Sequence, residues 1–77
     1  MLIMENKDLI INIANNIRAE RNRARLSQEE LAEKIGMNPK HFGAIERGEF
    51  NPKITTIIAI IEALNISFYD LYRTNKN

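Results

Sequence analysis

Lys40, Ala44 and Arg47 are spaced four and then three residues apart, so in a helix they share one face, with Gly43 beside them. Two cations flanking two small residues can lie close against an anionic surface. Chemistry of the bond-breaking kind has little to work with. His41 is the sole histidine and there is no cysteine. A histidine without a cysteine or an acidic partner in register is a poor metal site. No nucleophile and base are spaced to act together. The residues therefore point to a binding protein rather than an enzyme, with no metal and no cofactor.

The elements that must position that face can be read from their ends. Ser27 with Glu30 forms a capping box, and Leu26 with Leu31 a hydrophobic staple. Leu31, Ala32 and Ile35 make an apolar stripe, and Gly36 supplies a left-handed stop. Asn38 caps a second helix, with Pro39 at its first position, where no N–H is needed. Met37 and Phe42 repeat the staple, Phe42 and Ile45 turn inward, and Gly48 ends the helix. Two capped helices across so short a turn form a helix-turn-helix.

An amphipathic helix is predicted upstream, from about Asp8 to Arg23, with Leu9, Ile10, Ile13, Ala14 and Ile17 on its buried side. Downstream, a loop with Asn51-Pro52 leads to a helix over about Ile54 to Leu64. Its inner side is Ile54, Ile57, Ile60, Ile61 and Leu64, with Ile58 surplus. Rich in β-branched residues, this helix must be held by packing rather than propensity. Asn65 is a left-handed stop, and Ser67 with Asp70 begins a short fifth helix to Tyr72. The expectation is an all-α fold of five helices in one domain, residues 1–77, with residues 1–6 and 74–77 frayed.

The stretches S-Q-E-E-L-A (Ser27 to Ala32), Ile35-Gly36, A-I-E-R-G (Ala44 to Gly48), Asn51-Pro52 and A-L-N-I-S (Ala63 to Ser67) occur in order. In these the chain resembles the Cro/C1-type (Xre) helix-turn-helix regulators, which include phage repressors and restriction–modification controller proteins. The resemblance runs from about Ile13 to Tyr72 and implies a lambda-repressor-like fold with the motif at helices two and three. It departs at Glu20, where an apolar residue is usual, suggesting a looser or differently paired helix end. It departs again at Arg25, which replaces the usual glycine before Leu26-Ser27.

What the resemblance implies about function is a recognition helix in the major groove of double-stranded DNA. Pro39, Lys40, Gly43 and Ala44 are the expected base-reading positions. Lys40 can reach guanine O6 or N7, and the Ala44 methyl a thymine methyl. Pro39 has no polar group to read a base edge, which shifts discrimination towards DNA shape. Gly43 has a second reading, as clearance for a neighbouring helix. Gln28, Arg47, Asn51 and Lys53 are the expected phosphate contacts, Asn51 and Lys53 being equally readable as solvated surface. Arg21 and Glu46 match a partly buried ion pair joining helices one and three. Ile58, Phe68, Tyr69 and Tyr72 are assigned to a twofold homodimer, with ordinary core as the alternative for Phe68 and Tyr72.

Composition bounds the rest. The 77 residues carry a net charge of +1 and are 44% hydrophobic. Arg18, Arg21, Arg23 and Arg25 crowd one region and Glu29, Glu30 and Glu33 another, so the charge is polarised; Arg18, Arg23 and Arg25 extend a DNA-facing field or merely solubilise. Apolar Met1 to Met4 is too short for a signal peptide, and no run reaches the length of a membrane span. The resemblance implies a regulator of transcription that binds a near-palindromic operator as a homodimer, with RNA polymerase or a toxin-like protein as further partners, and the absence of cysteine fits a cytoplasmic location. The competing reading is an antitoxin or other interaction module that neutralises a partner protein.

Overall fold

Every turn between the helices is closed in the same way, and this explains the path of the chain. In the computed structural model, which describes residues 6–74, the elements are α1 (Asn6–Arg23), α2 (Gln28–Lys34), α3 (Pro39–Glu46), α4 (Ile54–Leu64) and α5 (Phe68–Tyr72). No strand occurs among the described residues. Beyond the ends of α1 to α4, the left-handed positions are Arg25, Gly36, Gly48 and Asn65, at φ 62°, 69°, 75° and 54°. In each case the following N–H donates to the carbonyl five residues back: Leu26 to Arg21, Met37 to Ala32, Glu49 to Ala44 and Ile66 to Ile61. Arg25 thus adopts the conformation that the missing glycine would have taken without steric penalty.

The helix starts are equally local. Ser27 Oγ accepts from the Glu30 N–H at 3.0 Å, and the Ser27 N–H donates to Glu30 Oε1 at 2.8 Å. Ser67 and Asp70 repeat this box at 3.2 and 2.9 Å. Asn38 Oδ1 accepts from the N–H groups of Lys40 and His41. At α4 no side chain caps the first turn. α1 begins at Asn6, two residues before the expected start; the fraying expected of residues 1–5 and 75–77 concerns positions outside the described residues.

Ile17, Leu31, Ala32, Phe42, Ile45, Ile57, Ile60, Leu64 and Leu71 form the buried core. One inward assignment is corrected. Ile54 is 60% exposed, because at the first position of α4 it has run past the helices that cover Ile57 and Ile60. It lies instead at the mouth of an apolar cleft with Ile13, Phe68 and Tyr72.

α1 carries a second, polar seam. Asn12, Asn16 and Glu20 recur at four-residue intervals and face the end of α5. Asn12 Nδ2 donates to the Arg73 carbonyl at 2.9 Å, and Asn16 Nδ2 to the carbonyls of Leu71 and Arg73, both at 2.8 Å. Arg73 Nη2 returns a bond to Glu20 Oε2 at 3.1 Å. A helix end leaves carbonyls without internal partners, and here α1 satisfies them. Glu20 is therefore the differently paired residue, buried in a place where a leucine would have packed.

Candidate nucleic-acid interface

The placement of α3 starts from one carboxylate. Glu46 is 1% exposed, and such a group must be paired to be tolerated. Arg21 meets it from α1 with two parallel bonds, Nε to Oε2 at 2.7 Å and Nη2 to Oε1 at 3.0 Å. The remaining Arg21 nitrogen, Nη1, donates to the Leu26 carbonyl at 2.7 Å. Gln28, at the start of α2, donates from Nε2 to Glu46 Oε1 at 2.9 Å. α1, the turn before α2, α2 itself and α3 are thus pinned through a single carboxylate. The planar fork of arginine fits this bidentate role and lysine does not.

Gln28 is consequently only half free. Its amide spends one donor inside the protein and keeps the rest at the surface. Gly43 is buried, and a Cβ there would sit 3.3 Å from Arg47 Nη1 and 3.4 Å from Gln28 Oε1. The glycine opens room for these two side chains to converge over α3, which is the clearance reading, with side chains rather than a helix backbone as the neighbours.

The expectation that Gly43 and Ala44 lie open to a partner surface is corrected by this packing. Ala44 is 6% exposed and forms the floor of a surface recess whose rim includes Lys40, His41, Arg47, Glu49 and Phe50. The helical wheel gives its direction outward correctly but not its depth. The loop after Gly48 folds back and raises walls around it. Lys40 and Arg47 remain exposed at that rim, and Pro39 at the start of α3 and Asn51 and Lys53 in the loop before α4 are exposed as well.

Two rim residues were invisible as site residues in the sequence. Glu49 accepts from Arg47 Nε at 2.8 Å and from Nη2 at 3.3 Å, with both side chains more than half exposed. That hydrogen bond raises the Arg47 pKa, and the same bond lowers the Glu49 pKa. Phe50, half exposed, sets its ring 5.1 Å from the imidazole of His41. The only signal for either was Gly48, whose left-handed turn sends the next residues back alongside α3.

On α4 and α5, Ile58, Phe68, Tyr69 and Tyr72 are all exposed, the last three by more than half. Phe68 and Tyr72 stack at 6.0 Å between ring centroids. They are not core. Together with Ile54 they leave an apolar face on α4 and α5.

An eight-residue helix with an N-terminal proline, braced by a short helix before it and a buried ion pair behind it, defines a helix-turn-helix domain. The chain belongs to the helix-turn-helix family of Cro/C1 type, which it matches over residues 17–71. It is 44% identical to the control protein C.SmaI of Serratia marcescens, over 71% of this chain and 66% of that one. It is 35% identical to the immunity repressor protein of Bacillus phage phi105, over 70% of this chain and 38% of that one. It therefore spans less than two thirds of either relative. Among solved structures, the restriction-modification controller protein C.AhdI from Aeromonas hydrophila superposes with a TM-score of 0.78 at 30% identity, covering 82% of this chain and 96% of that one. A hypothetical transcription factor, NHTF, from Neisseria gives 0.82 at 30% identity, covering 96% and 85%. No helix among the described residues is long and apolar enough to cross a membrane.

Proposed function

We propose that this protein is a cytoplasmic transcriptional regulator that binds a near-palindromic operator in double-stranded DNA as a homodimer. The observation that carries the reading is the bracing of α3 through the Glu46 carboxylate, which holds Lys40 and Arg47 outward on a rigid element. Rigid placement is what base reading requires, since a bidentate contact tolerates little misalignment. Pro39 and Lys40 meet the base edges. Gln28, Arg47, Asn51 and Lys53 meet phosphates along the rim. Gly43 supports Gln28 and Arg47, and Ala44 reaches a base only where a thymine methyl enters the recess above it.

The exposed apolar residues Ile58, Phe68, Tyr69 and Tyr72 of α4 and α5 support twofold pairing. Two recognition helices about 34 Å apart would then enter successive major grooves. The kinship with a control protein and an immunity repressor favours regulation of transcription over an antitoxin role.

Selecting duplexes from a random pool tests the reading. Enriched sites with twofold symmetry and half-sites one helical turn apart are expected, with Lys40→Ala relaxing one base position by about 1–3 kcal/mol. A pool that shows no enrichment at moderate salt would end the proposal.

A further inference from the structure

Arg47 does not stand free on the DNA side of α3. The Gly48 turn, at φ 75° and closed by the Glu49 N–H donating to the Ala44 carbonyl at 3.0 Å, places Glu49 beside the residue two before it. The carboxylate then takes two of the guanidinium's donor groups, Nε and Nη2. The third nitrogen, Nη1, lies back over Gly43. Two of the three nitrogens of the side chain expected to grip a phosphate are thereby already engaged by a carboxylate of the protein itself. We propose that Glu49 is an intramolecular counter-ion that competes with DNA phosphate for Arg47 and so weakens the sequence-independent grip on DNA. The inference rests on the DNA-binding reading above and adds to it a residue that sets the strength of the phosphate grip.

The physical argument turns on where charge must go. A phosphate approaching Arg47 also approaches Glu49, so the two anions exclude each other from the same guanidinium. Exposed ion pairs are weak and solvent-screened, so the carboxylate can be displaced and binding is not abolished. The cost nevertheless applies on every duplex, whatever its sequence. On random DNA, where phosphate contacts supply nearly all of the affinity, the loss is a large share of the total. On the operator, base contacts by Lys40 carry part of the binding, so the same loss is a smaller share. Both affinities fall by the same factor, so Glu49 sets how tightly any duplex is held and leaves the choice between sequences to the base contacts.

The test compares the full-length protein with Glu49→Gln, Arg47→Ala and the double variant by fluorescence anisotropy. The probes are a random-sequence duplex and a selected duplex, each across a range of salt concentrations. Glu49→Gln is expected to bind random DNA about three- to tenfold more tightly, with a salt slope steeper by up to about one phosphate contact. In the Arg47→Ala background the same change should gain less than about twofold. Unchanged random-DNA affinity in Glu49→Gln overturns the counter-ion role while leaving DNA binding standing. An equal gain in both backgrounds overturns it too, since Glu49 would then act as a diffuse charge and not through Arg47. If neither the wild type nor Glu49→Gln binds any duplex, the DNA-binding reading falls and the inference falls with it.

Discussion

Glu20 Oε2 and Arg73 Nη2 lie 3.1 Å apart although 53 residues separate them in sequence. Glu20 is nearly inaccessible, and Arg23 approaches it from the side at 3.6 Å. This pair, with Asn12 and Asn16 on the Arg73 and Leu71 carbonyls, ties α1 to the end of α5. Arg21, the next residue on α1, ties the same helix to α3. The helix bearing the apolar face and the helix bearing the cationic face are therefore fastened to adjacent residues of one rod.

Removing one member of such a pair is worse than replacing the buried charge. Arg73→Ala should destabilise the fold by about 1–3 kcal/mol, because the buried Glu20 side chain loses a strong donor. Glu20→Leu should cost less, since the buried charge goes with it and Arg73 can turn to solvent. Urea unfolding of both variants decides the order, and Glu20→Leu proving the more damaging would refute the account.

Arg25 at φ 62° is the other departure with a measurable consequence. A left-handed non-glycine residue is strained by about 1–2 kcal/mol, against which glycine loses about 0.5–1 kcal/mol in the freedom of the unfolded chain. Arg25→Gly should be stabilising by roughly 0.5–1 kcal/mol, raising Tm by a few degrees for a domain of this size, about 4–8 °C per kcal/mol. A lowered Tm would show that the Arg25 side chain contributes more than its backbone strain costs.

These residues also show where sequence reasoning stops. The five helices, the caps at Ser27, Asn38 and Ser67 and the stops at Gly36, Gly48 and Asn65 were legible because each is decided within a few residues. Glu20 was marked as differently paired, but its partner and those of Asn12 and Asn16 appear only once α5 is known to end against them. Ile54 carried the correct period but no neighbour above it. Ala44 pointed as the helical wheel required, yet Arg47, Glu49 and Phe50 build a rim around it. Direction is a local property of a helix, whereas depth depends on what the loops do.

The Ser67–Asp70 box makes the α5 end sensitive to acid. The Ser67 N–H, donating to Asp70 Oδ2 at 2.9 Å, is the main cause that holds the Asp70 carboxyl below its ordinary value. A folded-state value below the unfolded one, about 3.9, means that the ionised box stabilises fully above that pH and stops doing so as pH falls through the folded value. The stability difference between wild type and Asp70→Asn should therefore shrink on acidification from pH 6 to pH 3. Chemical unfolding across that range measures it; a difference that stays constant would mean the cap does not depend on the charge.

Gly43→Ala separates folding from function at one atom. Glycine inside a helix is about 1 kcal/mol less favourable than alanine, so the substitution begins with a gain in stability. The new methyl meets Arg47 Nη1 at 3.3 Å and Gln28 Oε1 at 3.4 Å. Both are ends of flexible side chains, and a shift of a few tenths of an ångström relieves them without moving α3. The fold should be unchanged or stabilised by up to about 1 kcal/mol. Those same two side chains, however, are the proposed phosphate contacts at the start of α2 and the end of α3. Displacing them should weaken binding to random and selected duplexes by similar factors, since phosphate contacts carry no sequence information. Thermal unfolding and anisotropy on one preparation read both quantities. Loss of stability would mean that Gln28, held by Glu46 at 2.9 Å, cannot yield. Unchanged affinity with an intact fold would remove Gln28 and Arg47 from the phosphate-contacting set.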